Sequence, residues 1–146
     1  MKLSCAALLS FLVLGISTVH AADPAAAGAL SQQEEELSKQ CNLDARNSLA
    51  SGDITLVEKA CTKAIDEIEK THPGQEHLIN PIMNLAFSYT LAKDFDKAAP
   101  LYERAKKIRE ALYGPDSMQV KEVDNLMKAQ GDMKQQPAGR GKGHGH

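Results

Sequence analysis

"NLAFSYTLAKDFDKAAPLYERAKKIREALYGPD", residues 84–116, reads as two amphipathic helices joined by a turn. In its first half Leu85, Ala86 and Tyr89 recur at helical spacing, and in its second half Phe95, Ala98, Leu101, Tyr102, Ala105 and Ile108 do the same. A helical hairpin cannot bury both stripes by itself, so a hairpin of this kind implies neighbours that stack on it.

The neighbours are present in the sequence. Upstream, Leu37, Cys41, Ala45 and Ser48 form one stripe, and Ile54, Val57, Cys61, Ala64 and Ile68 form a second. "SGD" at 51–53 separates them, and "THPGQE" at 71–76 is a stop built on Pro and Gly. Ser31 is placed to cap the first helix, with "EEE" at 34–36 at the positive end of its dipole. The third helix is expected from about His77 to Ala92, and the fourth from about Asp94 to Tyr113. After the turn "GPDS" at 114–117, a fifth helix carries Val120, Val123, Leu126 and Met127. No stretch offers a strand, and the expected class is all-α.

A shift of 41 residues aligns the pieces. "HPGQEHLINPIMNL" (72–85) lies over "YGPDSMQVKEVDNL" (113–126), matching Asn84-Leu85 with Asn125-Leu126. "SGDITLVEKACTKA" (51–64) lies over "AKDFDKAAPLYERA" (92–105), matching Asp53 with Asp94 and Ala64 with Ala105. About two and a half hairpins thus follow one template. On these residues the chain resembles the tetratricopeptide repeat family, in particular the longer repeat of kinesin light chains and many bacterial proteins. Leu85-Ala86, Tyr89, Ala98, Tyr102 and Ala105 match its consensus, whereas Asp44, Ser48 and Val57 replace the Leu, Tyr and Ala expected in the first copy. The resemblance covers about 34–130 and implies a short α-solenoid of antiparallel hairpins, with a concave groove that binds protein segments.

The ends of the chain point to export. Lys2, the apolar run "LSCAALLSFLVLGI" (3–16) and "STVHA" (17–21) have the pattern of a cleaved signal peptide, with Val19 and Ala21 at the small-residue positions. The apolar run is shorter than the ~20 residues needed to span a bilayer. Residues 22–30 read as a flexible leader, 31–130 as the repeat domain, and 131–146 as a disordered tail rich in Gly and His. The expected location is the periplasm or the medium, without stable membrane insertion. A net charge of −2 and no basic face argue against nucleic acid as a partner.

Cys41 and Cys61 are the cysteines that remain after signal removal. Residue 51 lies midway between them, ten residues from each, so both sit about 15 Å from the turn at ~1.5 Å per residue. Both also occupy the apolar stripe of their own helix. In an oxidising compartment that places a disulfide between them. The alternative is two small apolar thiols packed in a core.

Residues suited to chemistry are sparse. His72, Glu76 and His77 lack a further metal ligand and read as solvated linker residues. "GRGKG" at 139–143 lacks the strand and helix of a phosphate loop, and no nucleophile elbow is present. No catalytic residue and no cofactor are assigned. The family geometry instead implies an inner face made of Lys39, Asn42 and Arg46, then Asn80, Met83, Asn84 and Phe87, then Lys121, Asn125 and Lys128. Amides can pair with an extended backbone through a donor and an acceptor. The cations Lys39, Arg46, Lys121 and Lys128 favour an acidic segment or a free carboxylate, and Met83 and Phe87 offer an apolar anchor. The expected function is a non-catalytic adaptor or scaffold of the bacterial cell envelope that holds a protein segment. Two other readings remain open at this level: a subunit that self-associates or caps a larger assembly through its open fifth helix, and a metal-handling protein using the His-rich tail, where imidazole suits Cu²⁺ or Ni²⁺.

Overall fold

A computed structural model describes residues 28–135. The signal peptide, most of the leader and residues 136–146, including the terminal "HGH", lie outside the described residues. The described chain is all-helical: α1 (Gln32–Ser51), α2 (Thr55–Thr71), a 3₁₀ turn (Glu76–Leu78), α3 (Ile79–Leu91), α4 (Phe95–Tyr113) and α5 (Met118–Gln135).

Local chemistry sets the boundaries. Ser31 closes a capping box on α1: its Oγ accepts from the Glu34 N–H at 3.3 Å, and the Glu34 carboxylate accepts from the Ser31 N–H at 2.7 Å. The far end of α1 stops at Gly52, whose φ of 73° suits a residue without Cβ. Asp53 accepts from the Thr55 N–H at 2.8 Å and opens α2. Pro81 falls in the first turn of α3, where a missing N–H costs no helical hydrogen bond. Asp94 caps α4 through the Lys97 N–H, and Ser117 Oγ accepts from the Val120 N–H at the start of α5.

The helices pack as the hairpins α1–α2 and α3–α4, with α2 against α3 and α1 beside α3. The apolar stripes meet inside. Cys41, Val57, Cys61, Ala64, Ile68, Leu85, Ala86, Tyr89, Ala98, Tyr102 and Ala105 are all buried in one core. Where the hairpins meet, the Tyr89 hydroxyl donates to Glu58, and Lys97 lies 3.5 Å from Glu58 and 4.9 Å from the Tyr89 ring centre. Burial, followed by the Glu58 carboxylate, pushes the Tyr89 phenol well above its ordinary pKa.

α5 lies antiparallel along α4. Arg109 meets Glu122 at 2.6 Å, Lys106 meets Asp124 at 2.7 Å and Lys134 meets Asp96 at 2.8 Å. Val120 and Val123 are buried beneath these pairs. The expected helix end at Gly131 is corrected: α5 continues through Gly131 to Gln135. Gln130 Nε2 donates to the Phe95 carbonyl at 2.9 Å, and with the Lys134–Asp96 pair it carries the helix across a residue that costs about 1 kcal/mol relative to Ala. No helix among the described residues is long and apolar enough to cross a membrane.

Candidate functional site

α1 and α3 run side by side in the same direction, and their exposed flanks enclose an open depression of about 470 Å³. It is lined by Asn42, Ala45, Arg46 and Leu49 from α1 and by Asn80, Asn84 and Phe87 from α3. Asn42, Arg46 and Leu49 fall on one flank at spacings of three, four and seven residues, as do Asn80, Asn84 and Phe87. Five of the residues expected on the inner face therefore come together: Asn42, Arg46, Asn80, Asn84 and Phe87.

Asn84 Nδ2 donates to Asn42 Oδ1 across the depression and sits 3.8 Å from the Cys41 Sγ. That contact fixes both amides while leaving Asn84 Oδ1 as an acceptor and the Asn42 NH₂ as a donor. Arg46 is exposed and enters no ion pair among the described residues. Leu49 and Phe87 are 58% and 40% exposed, so the upper part of the depression is apolar and unfilled. The result is a shallow site with amide pairing groups low on the wall, one free guanidinium and an apolar top. It contains no nucleophile beside a base.

The remaining expected residues lie elsewhere, for identifiable reasons. Lys39 turns along its own helix to Glu35 at 3.6 Å. Met83 is partly buried and packs against the core. Lys121, Asn125 and Lys128 are exposed on α5, whose close partner is α4, so they do not extend the wall made by α1 and α3. Leu49 was not among the expected residues, although its place three residues after Arg46 puts it on the same flank.

The two cysteines are joined beneath this site. Cys41 and Cys61 form a disulfide with Cα atoms 4.6 Å apart, and both side chains are fully buried. The bond ties α1 to α2 directly under the turn that carries Asn42.

A second polar cluster closes the opposite end of the first hairpin. Glu34, 5% exposed, accepts from Thr71 as well as Ser31, and lies 3.8 Å from His72 Nδ1. Hydrogen bonds from Thr71, then Ser31, lower the Glu34 pKa from 4.5 to about 2. The reading of His72 as a solvated linker residue is corrected: it is 6% exposed and stands edge-on to His77, ring centres 5.4 Å apart. His77 Nε2 donates to the Gly28 carbonyl at 2.6 Å, and Glu76 accepts from the Tyr113 hydroxyl instead of facing the histidines. No group of three or more His, Cys, Asp or Glu suited to a metal ion occurs among the described residues.

No family model, no curated protein and no solved structure matches this chain.

Proposed function

We propose that this protein is a small exported tetratricopeptide-like repeat protein that holds a segment of another protein against the α1–α3 depression, without catalysis. The observation that carries the reading is the gathering of Asn42, Arg46, Asn80, Asn84 and Phe87, from two helices about 40 residues apart in sequence, around one open surface. Exposed amides, an unpaired guanidinium and uncovered apolar side chains all face the same space. Each is unsatisfied by the chain itself, and each matches a group that a peptide offers: backbone amide, carboxylate and apolar side chain. The internal repetition at 41 residues and the buried Leu85, Ala86, Tyr89, Ala98, Tyr102 and Ala105 support the tetratricopeptide-like reading. The signal-like start of the chain and a disulfide in its core support export.

The test is photo-crosslinking in the envelope of the producing cell. Probes are placed at Asn80 and Phe87, with a control at exposed Lys107 on α4. A discrete product from the two groove positions and none from Lys107, identified by mass spectrometry, is the expected result. Equal products from all three positions would overturn the groove as the binding site. N-terminal sequencing of the mature protein tests export, with a start near Ala22 expected.

A further inference from the structure

The two ends of the helical stack are finished differently. On α5 the residues facing away from α4 are mostly polar, with Lys121, Glu122, Asn125, Lys128 and Asp132 exposed, so α5 acts as a terminal cap. This places the open end opposite to where the sequence put it. The outer face of the first hairpin carries a notch of about 270 Å³ between α1 and α2, lined by Leu37, Leu56 and Ala60 with Gln40, Asp44, Lys59 and Lys63. Leu56 is 60% exposed there.

Charge around the notch is divided by helix. Glu36, Gln40 and Asp44 follow one another at i, i+4 and i+8 and form an acidic edge on α1. Lys59 and Lys63 form a basic edge on α2 at i and i+4. Glu36, Lys59 and Lys63 make no ion pair among the described residues, and the recorded side-chain partner of the buried Asp44 is the Gln40 amide, at 3.0 Å. The antiparallel hairpin keeps the two edges at similar heights, because the Cys41–Cys61 bond sets residues summing to about 102 side by side.

We propose that this face pairs with the same face of a second copy of the chain. A two-fold axis parallel to the helices sets α1 of one copy over α2 of the other. Leu56 and Leu37 then cover one another's notches, and Lys59 and Lys63 of each copy meet the Glu36–Asp44 edge of its partner. An end-to-end contact with α5 is disfavoured, because that surface is polar and carries both signs of charge. The pairing therefore closes at two copies and does not grow into a filament. It uses the flank of α1 opposite Asn42, Arg46 and Leu49, so both peptide sites stay open and the proposal stands apart from the groove reading.

The experiment is sedimentation equilibrium on the purified full-length protein over a wide concentration range. A mass rising to twice that of the chain is expected. Leu56→Asp and, separately, Lys59→Glu with Lys63→Glu each weaken the dimer roughly tenfold or more. Mixing the Lys59→Glu, Lys63→Glu variant with a Glu36→Lys, Gln40→Lys variant restores a dimer of mixed composition, because each then offers the charges the other lacks. Circular dichroism confirms that every variant keeps its helices. A monomer at all concentrations, or a dimer indifferent to both sets of changes, would overturn the proposal.

Discussion

Between α1–α2 and α3–α4, an offset of 41 residues carries Cys41 onto Ile82, Cys61 onto Tyr102, Asp44 onto Leu85 and Ser48 onto Tyr89. Every one of these side chains is buried. The second hairpin fills its interior with a leucine, an isoleucine and two tyrosines. In the first, the same positions hold a disulfide, a carboxylate and a hydroxyl, which supply far less apolar volume. Packing stabilises the folded state directly, at about 25 cal/mol per Å² of apolar surface removed from water. A crosslink instead acts mainly on the unfolded chain, by closing a loop and removing conformations. The two halves of one small domain thus rest on different physics, and different perturbations separate them.

The largest effect is expected in the packed half. Tyr102→Ala leaves a cavity at the largest fully buried side chain and costs about 3–5 kcal/mol in urea denaturation, whether the protein is oxidised or reduced. A cost below about 1 kcal/mol would remove the contrast between the hairpins. Reduction, or Cys41→Val with Cys61→Ala, costs about 3 kcal/mol through the lost 20-residue loop constraint. If the reduced protein were as stable as the oxidised one, the first hairpin would have to be held by packing after all.

Acid distinguishes the halves next. Glu34 is held at a pKa of about 2, below its ordinary 4.5, so its charge-assisted contacts contribute fully above pH 4.5 and are lost as the pH falls through about 2. Glu34→Gln is therefore less stable than the wild type at pH 7, by about 1–2 kcal/mol, and the two stability curves converge near pH 2. The second hairpin has no such device, since α3 begins without a side-chain cap. A constant gap at all pH values would assign the loss to shape instead of charge.

The smallest effects fall on the surface. Arg46→Glu and Lys39→Glu each change stability by no more than about 0.5 kcal/mol. An acidic peptide bound in the groove loses roughly tenfold in affinity with Arg46→Glu and is unaffected by Lys39→Glu, as titration calorimetry would read.

Much of this architecture was legible because it is local. Helical spacing placed Leu85, Tyr89, Tyr102 and Ala105 inside, where they are found. Ser31 and the "SGD" turn marked the bounds of α1, and the symmetry of Cys41 and Cys61 about residue 51 indicated their bond. What escaped the sequence depends on contacts between distant segments. The Glu34–Thr71 hydrogen bond spans 37 residues and turns a residue read as a solvated helix face into a buried one. The extension of α5 depends on Gln130 reaching Phe95, 35 residues away. The groove was read correctly where α1 meets α3 and incorrectly on α5, because the repeat offset fixes where apolar stripes recur but not which neighbour a terminal helix chooses.

The exposed Gly52 turn lies inside the loop closed by Cys41 and Cys61, as do the α1 groove residues Asn42, Arg46 and Leu49. A protease that nicks the chain at that turn releases nothing while the sulfurs remain joined. The cut protein keeps its two fragments and both walls of the groove in one covalent molecule, and separates into two bands on a gel only after a thiol reductant is added.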